Sequence, residues 1–178
     1  MSKIYPGVER RFTPWKNGGG ETAEILCKPE GSGFDNFDWR ISTAKVGQSG
    51  PFSTFPGINR VLTVIEGGAM RLTFSDGQII DCQPDGVPHC FSGETPCVAE
   101  LRGAELLDLN LMVRAPLTGA VYQSGAHVPG DALLACYLFA LDDMPCFGLN
   151  RHDLRELPLA SVTVPDNALV LTIRRGNG

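Results

Sequence analysis

No segment of this 178-residue chain keeps apolar residues at helical spacing for about ten residues. Glycine, proline, asparagine and aspartate instead punctuate it about every eight to twelve residues, and the stretches between them alternate in polarity. The 21 glycines and 13 prolines suit many short strands joined by turns. A helical bundle is therefore excluded, and an all-β sandwich or barrel of roughly ten or more short strands is expected. A chain of this length buries one good core or two small fused ones. Each half carries an apolar strand followed by turns, which points to two related β-barrels.

The most informative stretch runs from Phe37 to Gly68, FDWRISTAKVGQSGPFSTFPGINRVLTVIEGG. Alternation sends Trp39, Ile41 and Thr43 to one face and Arg40, Ser42 and Ala44 to the other. The run Arg60 to Glu66 is rich in β-branched residues and is expected to end in a turn at Gly67-Gly68, with Arg60 and Glu66 on one face. Two arginines thus lie inside strands of apolar or small residues. Arginine is almost never fully buried without a partner. Either Arg40 and Arg60 pair with nearby carboxylates, or they line a cavity that takes an anion, since the planar guanidinium fork matches a carboxylate.

Elsewhere, Glu21 to Cys27 reads as a strand with Ala23, Ile25 and Cys27 on one face and Thr22, Glu24 and Leu26 on the other. Ala69 to Phe74 and Gln78 to Cys82 form a hairpin around Ser75-Asp76-Gly77. Cys97 to Arg102 and Leu106 to Met112 are further strands. The second of these is half-buried, with Asp108 and Asn110 on its other face. In the last third, Ala132 to Leu141, Leu154 to Leu159, Ser161 to Pro165 and Ala168 to Arg174 are strand candidates.

The net charge of −5 argues against nucleic acid as a partner, which needs a basic footprint. No stretch is long and apolar enough for a membrane span, and the N-terminal residues lack the apolar core of a signal peptide, so a cytoplasmic location is expected. The six cysteines have no CxxC spacing and read as free thiols. The three histidines, His89, His127 and His152, form no HxH and share no strand with a glutamate at ligand spacing, so neither a metal nor another cofactor is expected.

The most unusual string is PWKNGGG, Pro14 to Gly20. One reading is a loop that closes over a small anionic or amide-bearing ligand, with Lys16 as charge, Asn17 as donor and acceptor, and backbone N–H groups of the glycines exposed. The other is a tight turn whose tryptophan plugs the core. It is not a phosphate loop, because GxxxxGK[ST] is absent.

PWKNGGGETAEI, FDWRISTAKV, GPFSTFPGINRVLTVIEGGAMRLTF, the FSG of Phe91 to Gly93, and DLNLM occur in one order. In these motifs the chain resembles the HutD/Ves family, well over about Arg11 to Met112 and weakly beyond. The resemblance implies a bicupin, two cupin-type β-barrels (RmlC-like jelly rolls) packed in one chain, without the usual cupin metal ligands. The barrels would cover approximately residues 1–112 and 113–178, the second being shorter. It also implies association with histidine utilisation. The family's motif positions fall on Trp15, Lys16, Asn17, Gly18, Gly19, Thr22, Glu24, Trp39, Arg40, Ser42, Phe52, Phe55, Arg60, Glu66, Gly67 and Gly68.

The leading functional expectation is a non-catalytic binder of a small carboxylate or of a formyl or acyl amino acid, such as N-formylglutamate or urocanate. Its candidate ligand-binding residues are Trp15, Lys16, Asn17, Gly18, Gly19, Glu24, Arg40, Ser42, Arg60 and Phe91. Lys16 and Arg60 would hold the carboxylate, Asn17, Ser42 and the loop amides would fix an amide or formyl group, and Trp15 and Phe91 would wall the pocket. Two competing readings are a metal-independent isomerase or hydrolase with Glu24 or His89 as general base, and an interaction scaffold. Apolar sheet faces are also compatible with a homodimer.

Overall fold

The computed structural model describes residues 2–176. Strands dominate it, as the turn spacing requires, and among the described residues the only helical pieces are 3₁₀ turns at Gly7–Glu9 and Pro145–Phe147. The strands are β1 (Ile4–Tyr5), β2 (Thr13–Pro14), β3 (Gly20–Lys28), β4 (Trp39–Val46) and β5 (Gly50–Pro51). Next come β6 (Ile58–Phe74), β7 (Ile79–Cys82), β8 (Pro88–Ser92) and β9 (Cys97–Arg114). The last are β10 (Leu117–Tyr122), β11 (His127–Val128), β12 (Leu133–Ala140), β13 (Leu154–Glu156), β14 (Val162–Thr163) and β15 (Ala168–Arg175). The fold class is all-β. No helix among the described residues is long and apolar enough to cross a membrane.

The chain divides into two compact units, Arg11–Ala115 and a second one in which Met1–Arg10 joins Pro116–Gly178. The second unit holds a five-stranded antiparallel sheet in the order β1-β13-β12-β15-β10 and a two-stranded sheet of β11 and β14. Its core gathers Val128, Cys136, Leu138, Ala140, Met144, Leu149, Val164 and Val170. The N-terminal residues are pinned there by a buried carboxylate. Asp153 accepts the Gly7 amide on Oδ1 at 2.7 Å and the Asn150 amide on Oδ2 at 2.9 Å. Arg10 donates to the carbonyl of His152 and lies over Phe139.

The Arg11–Ala115 unit is built on one eight-stranded antiparallel sheet in the order β2-β3-β4-β9-β6-β7, with β5 added to β9 and β8 to β6. The strand path does not close in either unit, so the closed barrels expected from the sequence are not what the strands form. The path of the large sheet ends in two short edge strands, β2 of two residues and β7 of four, which do not pair with each other.

Several sequence expectations change, most of them because bulges interrupt simple alternation. Gly67-Gly68 is not a turn: β6 runs through it, paired with β9, which likewise joins two expected strands into one. A Cβ at Gly67 or Gly68 would strike the carbonyls of Glu105 or Ala104, so the two backbones approach closely there. A bulge between Val64 and Glu66 sets Glu66 opposite Leu107 while Val64 stays opposite Asp108. Arg60 and Glu66 therefore lie on different faces. A bulge between Glu24 and Leu26 does the same in β3, putting Cys27 opposite Arg40 and Leu26 opposite Ile41. Finally, β9 is buried on both faces over Asp108 to Val113, not on one.

Candidate functional site

The unbroken alternation of β4 and the central place of β9 build one polar patch in the sheet. In register, Arg40 faces Met112, Ser42 faces Asn110 and Ala44 faces Asp108 across β4 and β9. Across β9 and β6, Arg60 faces Met112, Leu62 faces Asn110 and Val64 faces Asp108. Glu24 lies opposite Ser42, and Phe91 of β8 opposite Arg60. One face of adjacent strands thus carries Glu24, Arg40, Ser42, Arg60, Asp108 and Asn110. Five of these six are buried; only Glu24 reaches solvent freely.

The two arginines are held differently. Arg40 donates from Nε to Glu24 Oε2 at 2.9 Å and from Nη1 to Ser42 Oγ at 3.2 Å, and Phe34 lies against its guanidinium. It is the arginine–carboxylate pair that one reading of the sequence foresaw. Arg60 is 7 % exposed and has no carboxylate within ion-pair distance among the described residues. Its Nε donates to Asn110 Oδ1 at 3.3 Å, and Nη1 and Nη2 donate to no described residue. Instead Phe91, Phe52 and Phe55 surround the guanidinium at 5.2, 5.4 and 5.7 Å from its carbon to the ring centroids. Such contacts contribute about 0.5–2 kcal/mol each without using any N–H.

Burial weakens the hold of Arg60 on its proton, with Asp108 opposing and Arg40 adding to the effect. Asp108 shows the converse. It is 1 % exposed, and burial pushes its carboxyl up to about 7 against the opposing pull of Arg60 and the Asn110 amide. Its Oδ1 has no hydrogen-bond partner among the described residues. Asn110 stands between the two, turning its oxygen to the arginine and its amide to the acid. The thiols of Cys97 and Cys82 near this interior are raised by burial, Cys82 to about 12. They are poor nucleophiles as they stand.

PWKNGGG forms a tight turn. Gly18 N–H donates to Trp15 O at 3.0 Å, Gly19 N–H to Asn17 Oδ1 at 3.0 Å, and the Gly19 carbonyl takes the amides of Gly47 and Gln48. Trp15 donates from Nε1 to Thr22 Oγ1 at 2.7 Å and meets Phe52 edge-on, so it touches the aromatic wall around Arg60 at one remove. Lys16 is exposed. Of the sequence candidates, the structure brings together Glu24, Arg40 and Ser42, and separately Arg60 and Phe91, with the two arginines close enough to repel. Lys16, Asn17, Gly18 and Gly19 sit on the turn, where Asn17 is bonded to Gly19 and Gly18 to Trp15. Asp108, Asn110 and Phe34 were not among the candidates. Alternation had put Asp108 and Asn110 on one side of their strand, but only the pairing of β9 between β4 and β6 sets them beside the arginines. Among the described residues, no group of three or more His, Cys, Asp or Glu side chains is arranged to hold a metal ion.

A family model described as HutD matches residues 8–143. The chain belongs to the HutD family. An uncharacterised 21.2 kDa protein in the hutC 3′ region of Pseudomonas putida is 43% identical over 104 residues, 56% of this chain and 51% of that one. Protein Ves of Citrobacter koseri is 38% identical over 163 residues, covering 80% of this chain and 81% of that protein. The chain thus spans about half the length of the first of these relatives and most of the second. HutD from Pseudomonas fluorescens SBW25, solved in a formate condition, superposes with a TM-score of 0.84 at 26% identity, over 99% of this chain and 100% of that one. A conserved protein of unknown function from Pseudomonas aeruginosa PAO1 gives 0.80 at 27% identity with the same coverage.

Proposed function

We propose that the Arg11–Ala115 unit binds a small carboxylate without turning it over, and that this binding senses or buffers a carboxylated intermediate of histidine breakdown and tunes that pathway. One observation carries the reading: Arg60 is buried in a box of three phenylalanines with Nη1 and Nη2 unused by the described residues. A buried guanidinium whose fork is free is a costly arrangement for stability alone. A carboxylate completes it with two parallel charge-assisted hydrogen bonds. Each such bond contributes about 1.5–3 kcal/mol.

The formate condition of the similar Pseudomonas fluorescens protein fits this reading, formate being the smallest carboxylate. Arg40 adds positive potential, and Ser42 and Asn110 offer neutral polar contacts for an amide or formyl group. Lys16 lies on an exposed turn, so Arg60 takes the main anchoring role. On the same reading the two units correspond to the two cupin-type jelly rolls of a bicupin, with the ligand in the first. The experiment is titration calorimetry of metal-stripped protein with formate, N-formylglutamate and urocanate, on wild type and Arg60→Met. Saturable binding of one of them to wild type and none to the variant supports the reading; equal binding to both overturns it.

A further inference from the structure

A buried acid beside the arginine takes no part in the contacts described for Arg60. Asp108 is on the same face as Arg60, is 1 % exposed, and keeps Oδ1 without a partner, yet the two make no ion pair. Asn110 holds them one side chain apart. Buried polar atoms in folded proteins are nearly always hydrogen-bonded, and a carboxyl that must face an anion does so only as a donor.

Resting on the carboxylate reading, we infer that Asp108 is a second contact for the bound anion, donating a hydrogen bond from a protonated carboxyl, so that each anion enters with one proton. The proton comes from solvent and is carried on the Asp108 carboxyl, whose O–H then points at an oxygen of the ligand while Arg60 holds the same group from the other side. The charge balance favours this. With Asp108 protonated, the interior carries the unneutralised charge of Arg60 and accepts a monoanion. With Asp108 ionised, that charge is already offset, and an anion would meet a buried carboxylate at close range.

The groups facing Asp108 are few. Strands β4 and β6 place Ala44 and Val64 directly opposite it. Arg60 lies further along β6, with Arg40 of β4 acting on it. Cys82 of β7 feels Asp108, and Cys97 at the start of β9 is coupled to Arg60 and Cys82. Glu24 of β3 is engaged by Arg40. His89 of β8 is opposite Leu62, in the row of Asn110. His89 is the histidine among these groups, so the test carries a variant at it as a control beside Asp108.

The test is calorimetry with formate in two buffers of different ionisation enthalpy at pH 6, 7 and 8, on wild type, Asp108→Asn and His89→Gln. Formate is ionised throughout this range, so any proton taken up belongs to the protein. Wild type is expected to take up close to one proton per formate at pH 8 and much less at pH 6. Affinity should fall by up to about tenfold for each pH unit above the carboxyl's value of about 7. Asp108→Asn should show neither uptake nor slope, and His89→Gln should keep both. Formate binding to wild type with no proton uptake would overturn the inference and leave the carboxylate reading intact. The same slope in Asp108→Asn, or its loss in His89→Gln, would also overturn it. No formate binding to wild type at any pH would also overturn the inference, and the carboxylate reading would then stand or fall on N-formylglutamate and urocanate.

Discussion

The buried carboxyl of Asp108 gives the unliganded protein a pH dependence that can be worked out in sign and size. Burial raises it from an ordinary 3.8 to about 7. A carboxyl raised by folding contributes stability that is fully present below its unfolded value, near 3.8, and is lost as pH rises through its folded value, near 7. At about 1.4 kcal/mol for each tenfold change in proton affinity, the complete loss is about 4 kcal/mol. Between pH 5 and pH 8 roughly 3 kcal/mol of it is lost. Asp108→Asn keeps the shape and the capacity to meet Asn110 but cannot ionise. Urea unfolding of both proteins at pH 5 and pH 8 should therefore show wild type losing roughly 3 kcal/mol more than the variant over this interval. The variant should be the more stable of the two at pH 8. Parallel pH profiles, or a variant that is less stable at pH 8, would refute the claim that this acid is held protonated by its surroundings.

Other sites give further expectations. Gly20→Ala should destabilise by about 1–3 kcal/mol, because its Cβ would strike the Lys45 carbonyl and lie 3.0 Å from the Trp15 ring; thermal unfolding reads this directly. Asp153→Ala strips an acceptor from the Gly7 and Asn150 amides and should cost about 1–3 kcal/mol, with earlier proteolysis within the first ten residues. Glu24→Gln should change stability by less than about 1 kcal/mol, since its side chain is half exposed. In the native protein Cys90 and Cys146 should react with a thiol reagent quickly and the four buried cysteines only on unfolding; rapid reaction of Cys82, held up to about 12, would contradict the placement of that thiol.

The all-β class was legible because turn residues and alternation act locally. The continuous apolar run Ala132 to Leu141 fits a buried strand or a short helix by itself; the strand candidates that follow it favour strand, and it forms β12, Leu133–Ala140. What alternation cannot foresee is a bulge. One inserted residue at Ile25 moved Cys27 to the Arg40 face, and one at Ile65 moved Glu66 away from Arg60. The arginines stood out from sequence because charge inside an apolar strand is rare. Their environments did not, since the Glu24 partner of Arg40 and the Asn110 partner of Arg60 come from strands 16 and 50 residues away. The glycine turn shows the opposite limit. Its composition fits either exposed amides or a tight turn, and only the structure decides: the amides of Gly18 and Gly19 close the turn on itself.

The central claim is that Arg60 is an anion anchor and not a structural cation. The most direct measurement is a thermal-shift titration of metal-stripped protein with formate, glutamate, N-formylglutamate and urocanate, on wild type and Arg60→Met. A ligand that binds only the folded state raises the melting temperature with concentration. At least one carboxylate is expected to produce such a rise in wild type and none in Arg60→Met, with no dependence on added zinc. An identical rise in both proteins, or none with any carboxylate in wild type, would contradict that claim.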